Sequence, residues 1–291
     1  KGPNAGLPKV VAAQPADWSK VPAGKVRVEL CEEWNPSANV WPEAALKVTE
    51  SYEAPAFGFF RVPHKYVDTG VRAARPDPYF LRAHATVTLP AGKHRLHLRA
   101  RGAAALFVDG KAVAITPFPP PGTDDKPVKV QDKFTDLGGD FRFAPPGNRD
   151  ASCEFETKGG EHRITLETAV GYVINAKSRR RPELGETVAA WSPEGSQQWF
   201  LLSPGAARIV YNDGGWARYE ADEESRLAAM DAAARAALRE AAGDYWTRRR
   251  KAAADWLAAT PEVKVPALPA GFPAGNPVDH FIAEKIVAHR A

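Results

Sequence analysis

Three tryptophans lie in turn-rich sequence beside amide or carboxylate side chains, a combination suited to binding sugars. Trp191 and Trp199 flank a Ser-Pro-Glu-Gly turn, and Trp216 follows a Gly-Gly pair. The flat apolar face of an indole ring stacks on a sugar ring, while neighbouring polar groups bond to its hydroxyls. Tryptophans also fill cores, so the alternative is that these rings plug the fold or seat a helix. The predicted ligand-binding residues are Trp191, Gln197, Gln198, Trp199, Asn212, Asp213 and Trp216.

The sequence carries none of the common catalytic motifs. It contains no phosphate-binding glycine loop, no His-Glu-x-x-His helix and no Gly-x-Ser-x-Gly elbow. His94 and His97 lie three positions apart on a predicted strand, which places them on opposite faces and makes them poor co-ligands. We therefore predict no catalytic residue and no cofactor in this chain.

Calcium is the one metal for which the sequence offers a candidate. Asp124–Asp125 supplies adjacent carboxylates within a proline-rich insertion, and carboxylate oxygens are the ligands that calcium prefers. An exposed turn is the interpretation we prefer for this pair. We accordingly predict no metal site.

The chain has only two cysteines, Cys31 and Cys153. No Cys-x-x-Cys pair occurs, which excludes a zinc ribbon and a redox dithiol. A disulfide between them and two separate buried thiols both remain open, because spacing does not show whether their Cα atoms come close enough to bond.

Alternating stretches predict the elements that position these residues. Tyr79–Leu89 and His94–Ala100 alternate apolar and polar residues around a Pro-Ala-Gly turn, so we expect them to form an antiparallel hairpin. Asp109–Gly110 separates two further apolar runs, which predicts a second hairpin with a type I′ turn.

The character of the sequence changes near residue 220. Asp222–Glu223–Glu224 places negative charge where a helix begins, and alanine-rich sequence then runs to Thr260. Gly243–Asp244 is expected to kink this segment or divide it in two. Asn276–Pro277 predicts the start of another helix.

These patterns predict a mainly β fold, an antiparallel β-sandwich of the jelly-roll or lectin-like type followed by a long α-helix or helical hairpin. The predicted domains are an N-terminal arm or linker over 1–24, a lectin-like β-sandwich over 25–217, a helical extension over 218–260, and over 261–291 a proline-rich linker with the first helix of a truncated following domain.

Composition excludes several classes of protein. The 291 residues are 44% hydrophobic and 25% charged, which argues against a disordered chain. No apolar run reaches the roughly 20 residues of a membrane-spanning helix. The net charge of +4 is too small and too mixed to indicate nucleic-acid binding.

Several segments resemble a known group of proteins. Residues 57–70 (FGFFRVPHKYVDTG), 89–95 and 99–111 resemble the N-terminal region of large exported planctomycete proteins of unknown function, which often carry a cytochrome c domain. Residues 276–282 resemble the opening of the region that follows there. The resemblance implies an exported protein, periplasmic or at the cell surface.

The β part also resembles the protective-antigen-type sandwich, a lectin-like module shared with yeast flocculation adhesins. In its sugar-binding members an Asp-Asp pair before the Asp-Gly hairpin holds calcium. Here the matching residues are Arg101 and Gly102, and arginine cannot ligate calcium. We expect a non-catalytic module that holds a multidomain protein near polysaccharide or another glycan. The alternative is a structural scaffold that docks on the following domain or another subunit.

Overall fold

The computed structural model describes residues 12–34, 36, 38–118, 137–175, 178–180, 183–273 and 275–290. The chain divides into two compact units, residues 1–67 with 71–235, and residues 68–70 with 236–291. The first unit contains the β-sheets and most of a long helix. The second is helical. The domain boundaries predicted from the sequence remain predictions.

The larger sheet of the first unit is antiparallel and has six strands. Its longest pairing joins two eleven-residue strands through their whole length, from Gly160 opposite Leu89 to Val170 opposite Tyr79. In spatial order the strands are β2 (Glu50–Ala54), β1 (Val26–Cys31), β6 (Tyr79–Leu89), β11 (Gly160–Val170), β8 (Ala104–Val108) and β9 (Lys111–Thr116).

A second antiparallel sheet has five strands, and two short hairpins complete the β structure. The second sheet contains β10 (Arg149–Thr157), β7 (Gly92–Ala100), β14 (Thr187–Ser192) and β15 (Phe200–Leu201) in that order, with β3 (Gly58–Phe59) paired to β14. The hairpins are β4 (Lys65–Tyr66) with β5 (Arg72–Ala73), and β12 (Tyr172–Asn175) with β13 (Ser178–Arg180).

One hydrophobic core lies between the two sheets. Leu81 and Leu166 from the first sheet and Leu96 and Leu98 from the second belong to the same buried cluster, and all four are fully buried. Each such side chain contributes about 1.5–3 kcal/mol through removal of apolar surface from water. The predicted antiparallel β-sandwich followed by helices is therefore confirmed.

The first predicted hairpin does not form. β6 pairs with β1 and β11 in one sheet, while β7 pairs with β10 and β14 in the other. The turn between them therefore carries the chain from sheet to sheet. Alternation shows that each strand has a buried face but does not show which strand lies beside it, and β6 finds an eleven-residue partner in β11.

The second predicted hairpin is present. β8 pairs with β9, and Asp109 and Gly110 adopt φ values of 49° and 79°. Positive φ at both central residues is the requirement of a type I′ turn. The Asp109 carboxylate also accepts a hydrogen bond of 2.9 Å from the Arg163 N–H, which ties this turn to β11.

The helices are α1 (Asp213–Ala241), α2 (Gly243–Ala259) and α3 (Pro277–Arg290), with a 3₁₀ turn at Trp18–Lys20. α1 starts nine residues before the predicted Asp222 because Asn212 caps it, accepting a bond of 2.7 Å from the Gly215 N–H. The helical segment divides at Gly243 as predicted. None of the described helices is long and apolar enough to cross a membrane.

The N-terminal segment packs against the outer face of the six-stranded sheet from Gln14 onward. The Gln14 N–H donates to the Glu167 carboxylate at 2.6 Å, and its side-chain amide donates to the Pro42 carbonyl. The Trp18 ring contacts His84 edge-on. Gln14 and Trp18, both within the predicted arm, therefore contact the sandwich.

Candidate functional site

The structure buries all three predicted tryptophans, and two of them almost completely. Trp199 is 1% exposed and Trp216 is 3% exposed. The Trp199 N–H donates to the Leu137 carbonyl, and the Arg95 guanidinium lies 4.8 Å above its ring. Neither indole presents a free face to a ligand. Both indoles therefore fill the core, which was the alternative interpretation of the sequence.

The polar residues predicted beside them serve other purposes. Asn212 caps α1 and donates to Asp140. The Asp213 carboxylate forms an ion pair with Arg142. Gln197 and Gln198 are exposed in the loop between Ser192 and Trp199. Gln197, Asn212 and Asp213 lie beside the segment 138–142, but the three predicted tryptophans are buried and offer no exposed ring face there.

Trp191 borders a cavity. The cavity, here called the Trp191 groove, has a volume of about 350 Å³ and is lined also by Leu201 and Ala206. The Arg208 guanidinium lies 5.7 Å from the centre of the Trp191 ring and covers it. The indole is only 7% exposed, so little of its surface is open to the groove.

The candidate metal and disulfide residues have separate outcomes. Asp124 and Asp125 lie outside the described residues. Cys31 is buried in the six-stranded sheet, Cys153 lies in the five-stranded sheet, and both are free. Within the described ranges, no group of three histidines, cysteines or carboxylates could hold a metal ion.

Arg101 and Gly102, at the positions where the resemblance would place calcium ligands, have structural roles. Arg101 forms an ion pair of 2.5 Å with Glu183. A Cβ on Gly102 would lie 1.9 Å from the Ala169 carbonyl oxygen, so only glycine fits this close approach between strands.

A buried carboxylate pair surrounds Arg99 on the five-stranded sheet. The Arg99 guanidinium donates twice to Asp150, at 2.7 and 3.0 Å, and once to Glu186, at 2.8 Å. It also donates to the Tyr211 hydroxyl and to the Arg142 carbonyl. We call these five residues the Arg99 cluster.

The Arg99 cluster has no capacity left for a substrate. All three guanidinium nitrogens are engaged, and Arg99 is fully buried. Burial alone would raise the pKa of Asp150, but hydrogen bonds from His97 and Arg99 hold it well below its ordinary value. A carboxylate that is permanently ionised and fully bonded cannot act as a general acid at neutral pH.

A larger cavity of about 680 Å³ opens on the sandwich unit, which is within the range of small-ligand sites. Three segments form it: residues 60–65, residues 72–75 and residues 183–185, with Tyr79 as a further wall. We call it the basic cavity. Its basic lining residues are Arg61, His64, Lys65, Arg72 and Arg75.

Helix α1 fixes the first of these segments. Tyr219 donates to the Gly58 carbonyl at 2.8 Å and lies so close that a Cβ on Gly58 would be 2.8 Å from its ring. Arg61 then forms a bidentate ion pair with Glu224 at 2.6 and 2.9 Å. The backbone N–H of His64 donates to the Asp231 carboxylate at 2.6 Å. The cavity wall is therefore tied to the helix at three points.

The buried carboxylate of Glu32 and the partly exposed carboxylate of Glu50 hold two further cations. Glu32 binds both Lys65 and Arg75, and Arg75 also donates to Glu50 and to the Pro63 carbonyl, both at 2.8 Å. Burial alone would lower the pKa of Arg75, but these carboxylates raise it above its ordinary value, so the guanidinium stays charged. These cations are fixed in position before any ligand arrives.

Three polar side chains of the cavity, those of Arg72, Tyr79 and His64, are not held in ion pairs of the kind that fix the other cations in the described structure. Arg72 is exposed, and neither its guanidinium nor the Tyr79 hydroxyl has a side-chain hydrogen bond or ion pair within the described ranges. His64 approaches Asp231 at 3.2 Å, yet burial outweighs this carboxylate and lowers the pKa of the imidazole. At neutral pH His64 is therefore mainly uncharged and can donate or accept.

Sequence reasoning missed this site, although a signal was present. Residues 61–75 contain five basic side chains and one acidic one, Asp68, and they include part of the segment that carries the family resemblance. The spacing of these residues fits no helix or strand period, because the cavity is built from a loop, a short hairpin and a distant segment. The contribution of residues 183–185 is visible only in three dimensions.

The fold and the cavity define an antiparallel β-sandwich with a cleft that combines apolar walls and basic side chains. A PA14 sugar-binding domain from an RTX adhesin aligns with 63% of this chain and 97% of its own, at 11% identity and a TM-score of 0.39. The epithelial adhesin 6 A domain from Candida glabrata, solved with Galβ1-3GlcNAc, aligns with 68% and 89%, at 10% identity and a TM-score of 0.36. No protein-family model and no curated protein matches the sequence.

Proposed function

We propose that the sandwich unit is a non-catalytic carbohydrate-binding module and that the basic cavity is its binding site. The observation that carries the proposal is the cavity itself, which combines apolar walls with fixed polar groups. Phe60 and Val62 offer surface to the C–H face of a sugar, while Arg72, Lys65 and the Tyr79 hydroxyl offer hydrogen bonds to its oxygens.

The ion pairs behind the cavity support the proposal energetically. Side chains that are already held by Glu32, Glu224 and Asp231 lose little further freedom when a ligand binds. Sugars exchange hydrogen bonds with water for similar bonds with protein, so their affinity depends on such preorganisation. No metal is part of the proposed site.

A glycan array with the whole chain, run with calcium and with a chelator, tests the function. We expect binding that survives chelation. Two cavity-filling variants then locate the site: Ala74→Trp fills the basic cavity and Ala206→Trp fills the Trp191 groove, each from an exposed loop position. Binding lost in the first and kept in the second supports the proposal. The reverse result would move the site to the Trp191 groove.

An interaction scaffold is the second candidate function, and it has its own observation. Trp256 and Leu257 on α2 are each 65% exposed, and adjacent exposed apolar side chains of this size mark protein-binding surfaces. The partner would be a following domain of the same polypeptide or another subunit. Silence across the array from folded protein would favour this candidate over the carbohydrate-binding module.

We also propose that the module belongs to an exported multidomain protein, located in the periplasm or at the cell surface near polysaccharide. The resemblance of residues 57–70 and 276–282 to exported planctomycete proteins, some of them linked to cytochrome c, supports this location. Fractionation of cells that express the gene from its own promoter tests it, and recovery of the protein in the cytoplasm would contradict it.

A further inference from the structure

More positively than negatively charged side chains line the basic cavity. Four cationic side chains and the uncharged His64 line it, against the single carboxylate of Glu183, which is itself paired with Arg101. The balancing carboxylates bind these cations without lining the cavity. They are Glu32, Glu50, Glu224 and Asp231.

Among the hydrogen-bonding groups of the cavity that have no protein partner within the described residues, donors outnumber acceptors. Arg72 has five N–H donors with no carboxylate or carbonyl partner in the described part of the chain. Lys65 uses its ammonium group on Glu32 and keeps further N–H donors at a side chain that is 33% exposed. The Tyr79 hydroxyl adds one more donor and can also accept, as can the uncharged His64 imidazole. The lining carboxylate that could accept bonds in return is Glu183.

A ligand that matches this cavity must therefore bring acceptors and negative charge. A neutral sugar presents hydroxyls, each of which needs an acceptor as well as a donor to be fully bonded. A carboxylate or sulfate group is acceptor-only, and its oxygens match the planar fork of an arginine in bidentate geometry. The cations line the cavity, whereas the carboxylates that bind them do not, so a ligand in the cavity contacts positive charge directly.

We propose that the basic cavity selects glycans that carry an anionic group, a uronate carboxylate or a sulfate ester, with Arg72 as the principal contact and Lys65 and Tyr79 as secondary ones. This inference rests on the proposed carbohydrate-binding function and names the chemical class of its ligand. Arg75 and Arg61 act as positioning residues, because their own donors are already bonded to protein groups.

Calorimetric titration of the whole chain with matched oligosaccharides tests the inference. One arm compares oligogalacturonate with the same oligomer as its methyl ester, and a second compares a sulfated galactan oligomer with its desulfated form. We expect at least a tenfold preference for the acidic member of one pair, falling as salt rises. The arm that shows the preference identifies the source of the charge.

Two variants assign the preference to the cavity. Arg72→Gln is expected to lower the affinity for the acidic oligomer at least tenfold. Arg218→Gln removes a second exposed arginine, on α1 and outside the cavity lining, and is expected to leave the affinity unchanged. Circular dichroism and a melting curve confirm that each variant is folded.

The outcomes separate the two proposals. Equal binding of both members of each pair overturns the anionic class and leaves carbohydrate binding in place. An Arg72→Gln variant with unaltered affinity overturns the assignment of the preference to Arg72 and the basic cavity. No binding of any oligosaccharide overturns carbohydrate binding together with its ligand class. Binding of inorganic sulfate alone, without preference for the sulfated oligomer, also overturns the inference.

Discussion

The Arg99 cluster and the basic cavity are built from the same residue types and differ in what their donors have left to bind. Arg99 is fully buried and bonded to Asp150, Glu186 and backbone carbonyls through all three nitrogens. Arg72 is exposed at a cavity of about 680 Å³ and has no such partner within the described residues. One arginine holds the fold together, and the other is available to a ligand.

This difference shows that density of charge does not by itself indicate a functional site. The Arg99 cluster has the buried carboxylates and displaced pKa values that often mark catalysis, yet each group is satisfied within the protein. What distinguishes a binding site is an unused donor or acceptor beside empty space. The following predictions test that distinction, from the largest expected effect to the smallest.

Replacing Arg99 is expected to have the largest effect. Arg99→Met leaves Asp150 and Glu186 buried without their shared cation, and removal of one partner from a buried ion pair costs about 3–5 kcal/mol. Arg99→Lys is expected to recover only part of this loss because an ammonium cannot reproduce the planar fork. Urea denaturation measures both. A loss below about 1 kcal/mol for the Met variant would show that the cluster is not structural.

Glu167 lies between the fully bonded Arg99 cluster and the unpartnered Arg72. It is a buried carboxylate that receives a hydrogen bond on one oxygen and none on the other within the described residues. Its Oε1 accepts from the Gln14 N–H, but its Oε2 has no hydrogen-bond partner among the described residues. Burial raises the pKa of this carboxyl to about 7. The folded state therefore binds the proton more tightly than the unfolded state, and this group's contribution to stability falls as pH rises from about 4.5 to 7.

Glu167→Gln removes that pH dependence. We expect the variant to be more stable than the unaltered protein above pH 7, by up to roughly 3 kcal/mol, and to lose the advantage near pH 5. Denaturation curves from pH 5 to pH 8 give the difference. Exposed Glu161→Gln serves as the control and is expected to give a curve parallel to that of the unaltered protein. A parallel curve for Glu167→Gln as well would contradict the prediction.

Replacing Arg72 is expected to have the smallest effect on stability. The side chain is exposed and unpartnered in the described structure, so Arg72→Gln is expected to change the free energy of unfolding by less than about 0.5 kcal/mol. The same denaturation assay applied to Arg99→Gln compares one substitution at the two arginines, and we expect a much larger loss in the free energy of unfolding at Arg99. A destabilisation of Arg72→Gln above about 1 kcal/mol would mean that Arg72 is a structural residue like Arg99.

Local signals in the sequence predicted individual elements well. The Asp109–Gly110 turn, the division of the helical segment at Gly243 and the start of α3 at Asn276–Pro277 all appear as expected. Each depends on backbone chemistry within a few residues: positive φ, loss of helix propensity, or a side-chain cap. The pairing of β6 and β7 could not be predicted in this way, because strand partners are selected by contacts between residues far apart in the chain.

The sequence by itself determined the β-sandwich, the helices that follow it and the absence of common catalytic motifs, since these depend on periodicity and local residue types. Only the tertiary structure decided which polar residues face empty space. Trp199 and Trp216 stand beside polar residues in the sequence but are buried by distant segments, whereas Arg72 and Tyr79 become neighbours of residues 183–185 through folding. Burial and free hydrogen-bonding capacity are properties of packing between segments, and sequence spacing does not encode them.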